Sequence, residues 1–166
     1  MNQELETTWL GHDGCVRFAK AVAVAVADSM DLQQPNNGAL VIRLDGTLGA
    51  GKTYFTQQFA KELGAIDGEV TSPTFVIIQL YDTSPRISHL DLYRVNDDDE
   101  FFELGIDEMF EQPEVMLIEW GGKFTHLLPK DHLSIQIDIV SEQNRVVRLK
   151  SYGLRSDALL KKLQGY

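Results

Sequence analysis

Cysteine is nearly missing from this chain: Cys15 stands alone among 166 residues. A single thiol excludes an intramolecular disulfide framework and a cysteine-built zinc site. Histidine is also sparse, and His12, His89, His126 and His132 show no H-x-x-x-H-type spacing, so a histidine metal site has no support. No Ser–His–Asp set stands out either. Basic runs are missing altogether. With 25 acidic against 15 basic side chains the formal net charge is −10. A surface of that sign repels a nucleic-acid backbone and argues against extensive direct contact with RNA or DNA. Long apolar runs are lacking too: AVAVAVA, residues 21–27, falls far short of the roughly 20 residues needed to cross a bilayer. The opening MNQELETTW is acidic and lacks the basic n-region of a signal peptide. The expectation is a cytoplasmic protein, without membrane contact, forming one domain over 1–166 with a sizeable core.

No internal repeat and no Pro/Gly/Ser-rich linker divides the chain. AVAVAVA alternates like a strand, yet alanine is the best helix former and Phe18, Val22, Val26 and Met30 recur every fourth residue, so a helix is expected there. Asp13 is its expected N-cap. DLQQPNNG reads as a turn-rich connection. ALVIRLD, residues 39–45, reads as a buried strand running into a glycine loop, and KTYFTQQFAKELG as a helix closed by Gly64. TFVIIQLY and RISHLDLY flank DTSPR as an antiparallel hairpin. DDDEFFELGIDEMF is acidic and helical with short breaks, and its run 97–100 reads as a capped helix start. EVMLIEW is a further buried strand, LSIQIDIV and NRVVRLKSY a second hairpin, and RSDALLKKLQ a terminal helix. The class is α/β, a P-loop NTPase-like three-layer fold with a mixed parallel/antiparallel sheet.

Gly46, Gly49, Gly51, Lys52 and Thr53 spell G-x-x-x-x-G-K-T. Glycines let the backbone curl around phosphate oxygens, and the loop feeds a helix N-terminus whose partial positive charge adds to the anion site. ATP and Mg²⁺ are the expected ligands. Gly46, Leu48, Gly49, Ala50, Gly51, Lys52, Thr53 and Tyr54 are the expected nucleotide contacts, with Lys52 on the β- and γ-phosphates and Thr53 on the metal.

A second metal ligand belongs at the end of another buried strand. Asp91 in ISHLDLYR and Glu119 closing EVMLIEW are both candidates, and a solvated strand-end carboxylate is the plain alternative for each. Asp45 and Asp138 have similar strand settings, but Asp45 directly precedes the loop and reads as shaping its turn. TSPTF, residues 71–75, is either a turn leading into a strand or a switch-like loop whose Ser72 or Thr74 hydroxyl meets the γ-phosphate. Trp120 beside Glu119 is either core or a neighbour of the site. Because Gly121 and Gly122 follow at once, the strand is expected to end before Trp120.

GTLGAGKT, TSPTF, HLDLYR and LIEW, in that order, resemble the TsaE (YjeE) family of P-loop ATPases required for N6-threonylcarbamoyladenosine in tRNA. The resemblance spans about residues 13–139. It implies phosphate and magnesium roles for Lys52 and Thr53, and a switch-like role for Ser72, Pro73 and Thr74. Asp91 falls on the family's functional aspartate in H-x-D-x-Y-R. Glu119 and Trp120 match its Glu–Trp pair, with Glu119 near Mg²⁺. Lys52, Asp91 and Glu119 are thus the expected catalytic set, Thr53, Asp91 and Glu119 the metal set, and Thr74 and Trp120 further nucleotide contacts. The segment 8–13 is implied to help enclose the base. Thr47 and the GGK after Trp120 depart from the usual family residues. The resemblance further implies an accessory ATPase, slow alone and stimulated by TsaB and TsaD, that meets tRNA only through those partners.

A small P-loop metabolite or nucleotide kinase is the main rival, but no arginine-rich lid stretch is present, and Arg145 and Arg148 sit in a strand pattern. A GTPase is disfavoured by the lack of N-K-x-D, and a nucleotide-gated scaffold without turnover is the non-enzymatic alternative.

Overall fold

The computed structural model describes residues 3–30, 38–66 and 77–165. Its elements run β1 (Glu4–Leu10), α1 (Gly11–Ala27), β2 (Leu40–Asp45), α2 (Lys52–Glu62), β3 (Ile78–Tyr81), β4 (Ile87–Asp91), α3 (Asp98–Glu103), α4 (Ile106–Met109), β5 (Val115–Glu119), a 3₁₀ turn (Gly121–Phe124), β6 (His132–Ile139), β7 (Asn144–Ser151) and α5 (Leu154–Leu163). The strands form one sheet in the order β1-β7-β6-β2-β5-β4-β3. β6, β2, β5 and β4 run parallel, while β3 at one margin and β7 and β1 at the other pair antiparallel. The expected α/β class and mixed sheet are therefore present.

Alternation along the strands sorts the core onto two faces. Leu40, Ile42 and Leu44 of β2 pack with Val115 and Leu117 of β5 against α1, α2 and α5. Val41, Met116 and Ile118 point the other way, toward Phe101, Ile106 and Phe124. The AVAVAVA run is helical, as alanine propensity requires, and buries Phe18, Val22 and Val26. Gly64 follows α2 in the left-handed region at φ 103°, where glycine closes helices without a Cβ penalty.

Three expectations need correction. Asp13 does not cap α1: the cap position is Leu10, with no side-chain cap bond, and Asp13 lies inside the first turn. β1 is a strand that the sequence reading passed over. Its polar residues Glu4 and Glu6 are exposed while Leu5, Thr7 and Trp9 turn inward, and its partner β7 lies far along the chain, Glu4 opposite Lys150. The strand at Trp120 ends as expected, but not through a glycine break. Trp120 itself takes the left-handed conformation, φ 59° and ψ 25°. The turn 31–37 and the TSPTF segment, with Ser72, Pro73 and Thr74, lie outside the described residues. Among the described residues no helix is long and apolar enough to cross a membrane.

Phe55 joins α1, α2 and β1 in one aromatic stack, its ring 6.2 Å from Trp9, 5.7 Å from Phe18 and 6.0 Å from Phe59. It is fully buried. Truncating such a ring leaves a cavity that its packed neighbours cannot fill. Phe55→Ala should destabilise the fold by about 3–5 kcal/mol, read as a lower urea midpoint at unchanged slope.

Candidate functional site

The glycine loop connects β2 to α2 at the C-terminal ends of the parallel strands. Gly46 and Gly51 have φ of 154° and 111°. A Cβ on Gly46 would stand 2.6 Å from the Ile137 carbonyl oxygen, so side chains are excluded there by the neighbouring strand. Gly51 caps α2, leaving the first amides of an eleven-residue helix facing the loop. Leu48 is almost fully exposed at the loop's tip, and only its backbone is available to a ligand held within the loop.

Lys52, the first residue of α2, is 5% exposed. Its Nζ donates to the carbonyls of Gly46 at 2.7 Å and Thr47 at 3.2 Å. It also lies 4.4 Å from the centre of the Trp120 ring, which packs against Tyr93 at 5.0 Å. Burial pulls the Lys52 pKa down, against the opposing pull of Glu119, Asp91 and Asp45.

Strand register brings the two candidate carboxylates together. Asp91 ends β4 and Glu119 ends β5, and the parallel pairing sets them side by side. Both share the strand parity of Ile87, Val115 and Leu117, whose side chains lie in the core under α1 and α2. Glu119 Oε1 accepts from the Thr53 hydroxyl at 3.2 Å and lies 2.9 Å from His89 Nε2. Glu119 is 3% exposed and His89 fully buried. Burial raises the Asp91 pKa, the Tyr93 amide at 2.9 Å opposes that shift, and the Glu119 charge adds to it. Two carboxylates thus face one lysine beside a threonine hydroxyl. An all-oxygen set with excess negative charge fits a hard cation such as Mg²⁺, which takes few protein ligands and completes its shell from phosphate and water. Among the described residues no group of three His, Cys, Asp or Glu side chains converges on a common metal position.

Asp45 is engaged elsewhere, in an ion pair with Arg43 at 2.5 Å. Asp138 pairs with Arg148 and accepts from Gln136. The structure thereby gathers Lys52, Thr53, Asp91, Glu119 and Trp120 and leaves these two aside; Thr74 lies outside the described residues.

Sequence reasoning missed two features. His89 lacked ligand spacing, yet H-x-D on a strand places both side chains on one face, which was the available signal. The second is a cleft of about 570 Å³ on the other flank of the loop, lined by Trp9, Gly11, His12, Cys15, Gly49, Ala50, Gly51, Tyr54, Glu142, Gln143 and Arg145. Gly11 and His12 fall within the 8–13 segment, and the His12 and Tyr54 rings meet edge-on at 4.9 Å. No sequence signal marks the β6–β7 turn, because it reaches the loop only through the sheet. Lys123, in the unusual GGK, donates to the carbonyls of Tyr93 at 2.9 Å and Val95 at 2.7 Å, fastening the 3₁₀ turn to the segment after β4.

The family model for threonylcarbamoyl adenosine biosynthesis protein TsaE matches residues 16–147. A tRNA threonylcarbamoyladenosine biosynthesis protein TsaE of Bacillus subtilis is 40% identical over 124 residues, covering 74% of this chain and 77% of the relative. The protein so named in Haemophilus influenzae is 34% identical over 132 residues, covering 79% and 80%. The crystal structure of Bacillus subtilis YdiB superposes with a TM-score of 0.76 at 30% identity, covering 99% of this chain and 97% of that one.

Cys15 lines the cleft but is 2% exposed, and burial pushes its pKa up to about 12, with Arg145 pulling against it. Since the thiolate is the nucleophile, a buried thiol kept protonated at pH 8 is unreactive. Iodoacetamide at pH 8 should leave Cys15 unlabelled in the folded protein and label it fully in denaturant, read by mass spectrometry.

Proposed function

Because the chain belongs to the TsaE family, with its role in tRNA threonylcarbamoyladenosine biosynthesis, we propose that it hydrolyses ATP with Mg²⁺ to support that modification. The observation that carries this reading is the convergence of Lys52, Thr53, Asp91 and Glu119 at the N-terminus of α2. The protein acts in complex with TsaB and TsaD in the cytoplasm, sustaining repeated formation of the modified adenosine at position 37, and meets tRNA only through them. Its acidic balance suits a factor that leaves RNA contact to its partners.

The residues divide the work. Lys52 exchanges the Gly46 and Thr47 carbonyls for β- and γ-phosphate oxygens, a charge-assisted contact stronger than the neutral ones it leaves. The amides at the start of α2 hold the phosphates from the loop side. Thr53, Glu119 and Asp91 would hold Mg²⁺, which would neutralise charge developing on the transferred phosphoryl group. His89 keeps the Glu119 carboxylate turned toward Thr53. Adenine occupies the cleft beside Trp9, His12 and Tyr54. Arg145 is taken up by backbone carbonyls, which weighs against the small-molecule kinase alternative and its need for an arginine over the phosphate.

Lys52→Ala should weaken ATP binding by about 2–4 kcal/mol, the scale of truncating one partner of a buried charged contact. Calorimetry showing parental affinity would place Lys52 away from the phosphates.

Glu119→Ala and Asp91→Ala should each lower ATP hydrolysis, assayed with TsaB and TsaD present, more than they lower nucleotide affinity. The loop and Lys52 survive in both variants, whereas charge placement in the transition state does not. Parental rates in both would return the carboxylates to a purely structural role, and a parent protein without ATP turnover alongside its partners would overturn the enzymatic reading.

A further inference from the structure

Arg145 projects from β7 directly opposite Trp9 of β1, on the face that carries the glycine loop and α1. Its guanidinium makes five contacts, all to backbone carbonyls. Nε donates to Ala50 at 2.9 Å and Nη2 to Gly49 at 3.3 Å. Nη1 donates to Ser141 at 2.9 Å, Asn144 at 3.1 Å and Glu142 at 3.3 Å. The remaining carbonyl of that turn, Gln143, accepts from the Gly11 amide at 3.0 Å, where α1 begins. One planar fork therefore joins the phosphate loop to the β6–β7 turn, and the separate Gly11–Gln143 backbone bond joins that turn to the start of α1. No carboxylate among the described residues forms an ion pair with it.

The loop is thus gripped by two cations from opposite flanks. Lys52 gathers the carbonyls of Gly46 and Thr47 on the side of Glu119 and Trp120. Arg145 gathers those of Gly49 and Ala50 on the side of Trp9 and Cys15. A trans peptide is planar, so its C=O and the following N–H point in opposite directions. Drawing the Ala50 carbonyl toward Arg145 turns the Gly51 amide away from it, to the side where Lys52 lies.

We propose that Arg145 is a positioning residue for nucleotide binding, holding the phosphate loop in its cradle conformation and coupling it to the β6–β7 turn. The inference rests on the loop being the nucleotide site. It concerns preorganisation, in which affinity is gained because the loop need not be ordered by the ligand. A lysine retains the charge but has only three donors and no planar fork, so it cannot hold all five carbonyls at once; charge and geometry are therefore separable.

Two measurements test this. Arg145→Lys should bind ADP about tenfold or more weakly than the parent by calorimetry, the effect of about 1.4 kcal/mol at 25 °C. Binding within twofold of the parent would overturn the proposal. The second measurement uses the unsubstituted protein and so survives any folding failure of the variant. Inorganic pyrophosphate fills a phosphate cradle without reaching a base pocket. At saturation it should slow amide hydrogen exchange in the loop and, through Arg145, in residues 141–144. Protection of the loop with unchanged exchange at 141–144 would overturn the coupling. A parent that binds neither ADP nor pyrophosphate would instead sink the nucleotide-site reading itself, a separate failure seen before any variant is made.

Discussion

A carboxylate taken out of water costs several kcal/mol unless hydrogen bonds and charge partners restore what the solvent supplied. Glu119 is in that position at the end of β5, almost fully buried. Thr53 approaches it from α2 and His89 from β4, so its satisfaction requires three elements to meet at once. The strand–loop–helix unit, the β4–β5 register and the burial of His89 are all conditions of that one contact. The same contact brings Thr53 and Asp91 beside Glu119, producing a group of oxygens with an unmatched negative charge. Stability and chemistry share one constraint here.

The strain at Trp120 belongs to the same arrangement. A bulky residue at positive φ costs on the order of 1–3 kcal/mol and persists only where surroundings over-determine it. Its amide donates to the Leu44 carbonyl at 3.3 Å, and its ring is held between Lys52 and Tyr93. A Cβ on the next residue, Gly121, would stand 3.0 Å from Arg43 Cγ, so the chain turns away through a glycine pressed against β2. An extended Trp120 would place its ring on the opposite face from Glu119. The left-handed turn keeps both beside Lys52.

Charge follows the layers. Where the sheet's outer half lacks a covering helix, β1 and β7 lay a ladder of opposite charges across it: Glu4 with Lys150, Glu6 with Arg148, and Arg148 again with Asp138. These exposed pairs contribute little each, but they keep a pleated edge polar and leave the surplus of acid elsewhere on the surface. Around the glycine loop and β2 the cations are used differently. Lys52 and Arg145 both bind backbone carbonyls of the loop, and Arg43 joins Asp45 to Thr125 and Ser134.

Local chemistry was legible in the sequence wherever a residue's own neighbours decide it. Glycines at fixed offsets before a lysine and threonine specify a phosphate loop, alanine specifies the helix in AVAVAVA, and Asp97 caps α3 by bonding the Glu100 amide three residues on. Continuous apolar runs marked β2 and β5 as buried strands, and turn residues between strand runs marked both hairpins, and with them a mixed sheet. The candidate site was half legible: Asp91 and Glu119 stood out as strand-end carboxylates, while their placement side by side needed the β4–β5 register. Only the tertiary structure could decide what depends on pairings distant along the chain. β1 has no local signature beyond weak alternation, and it exists because β7 lies alongside it. His89 reaches Glu119 across thirty positions, and Arg145 reaches the glycine loop across ninety-five. Such contacts are set by which strands become neighbours and in what register, information that no window of sequence contains.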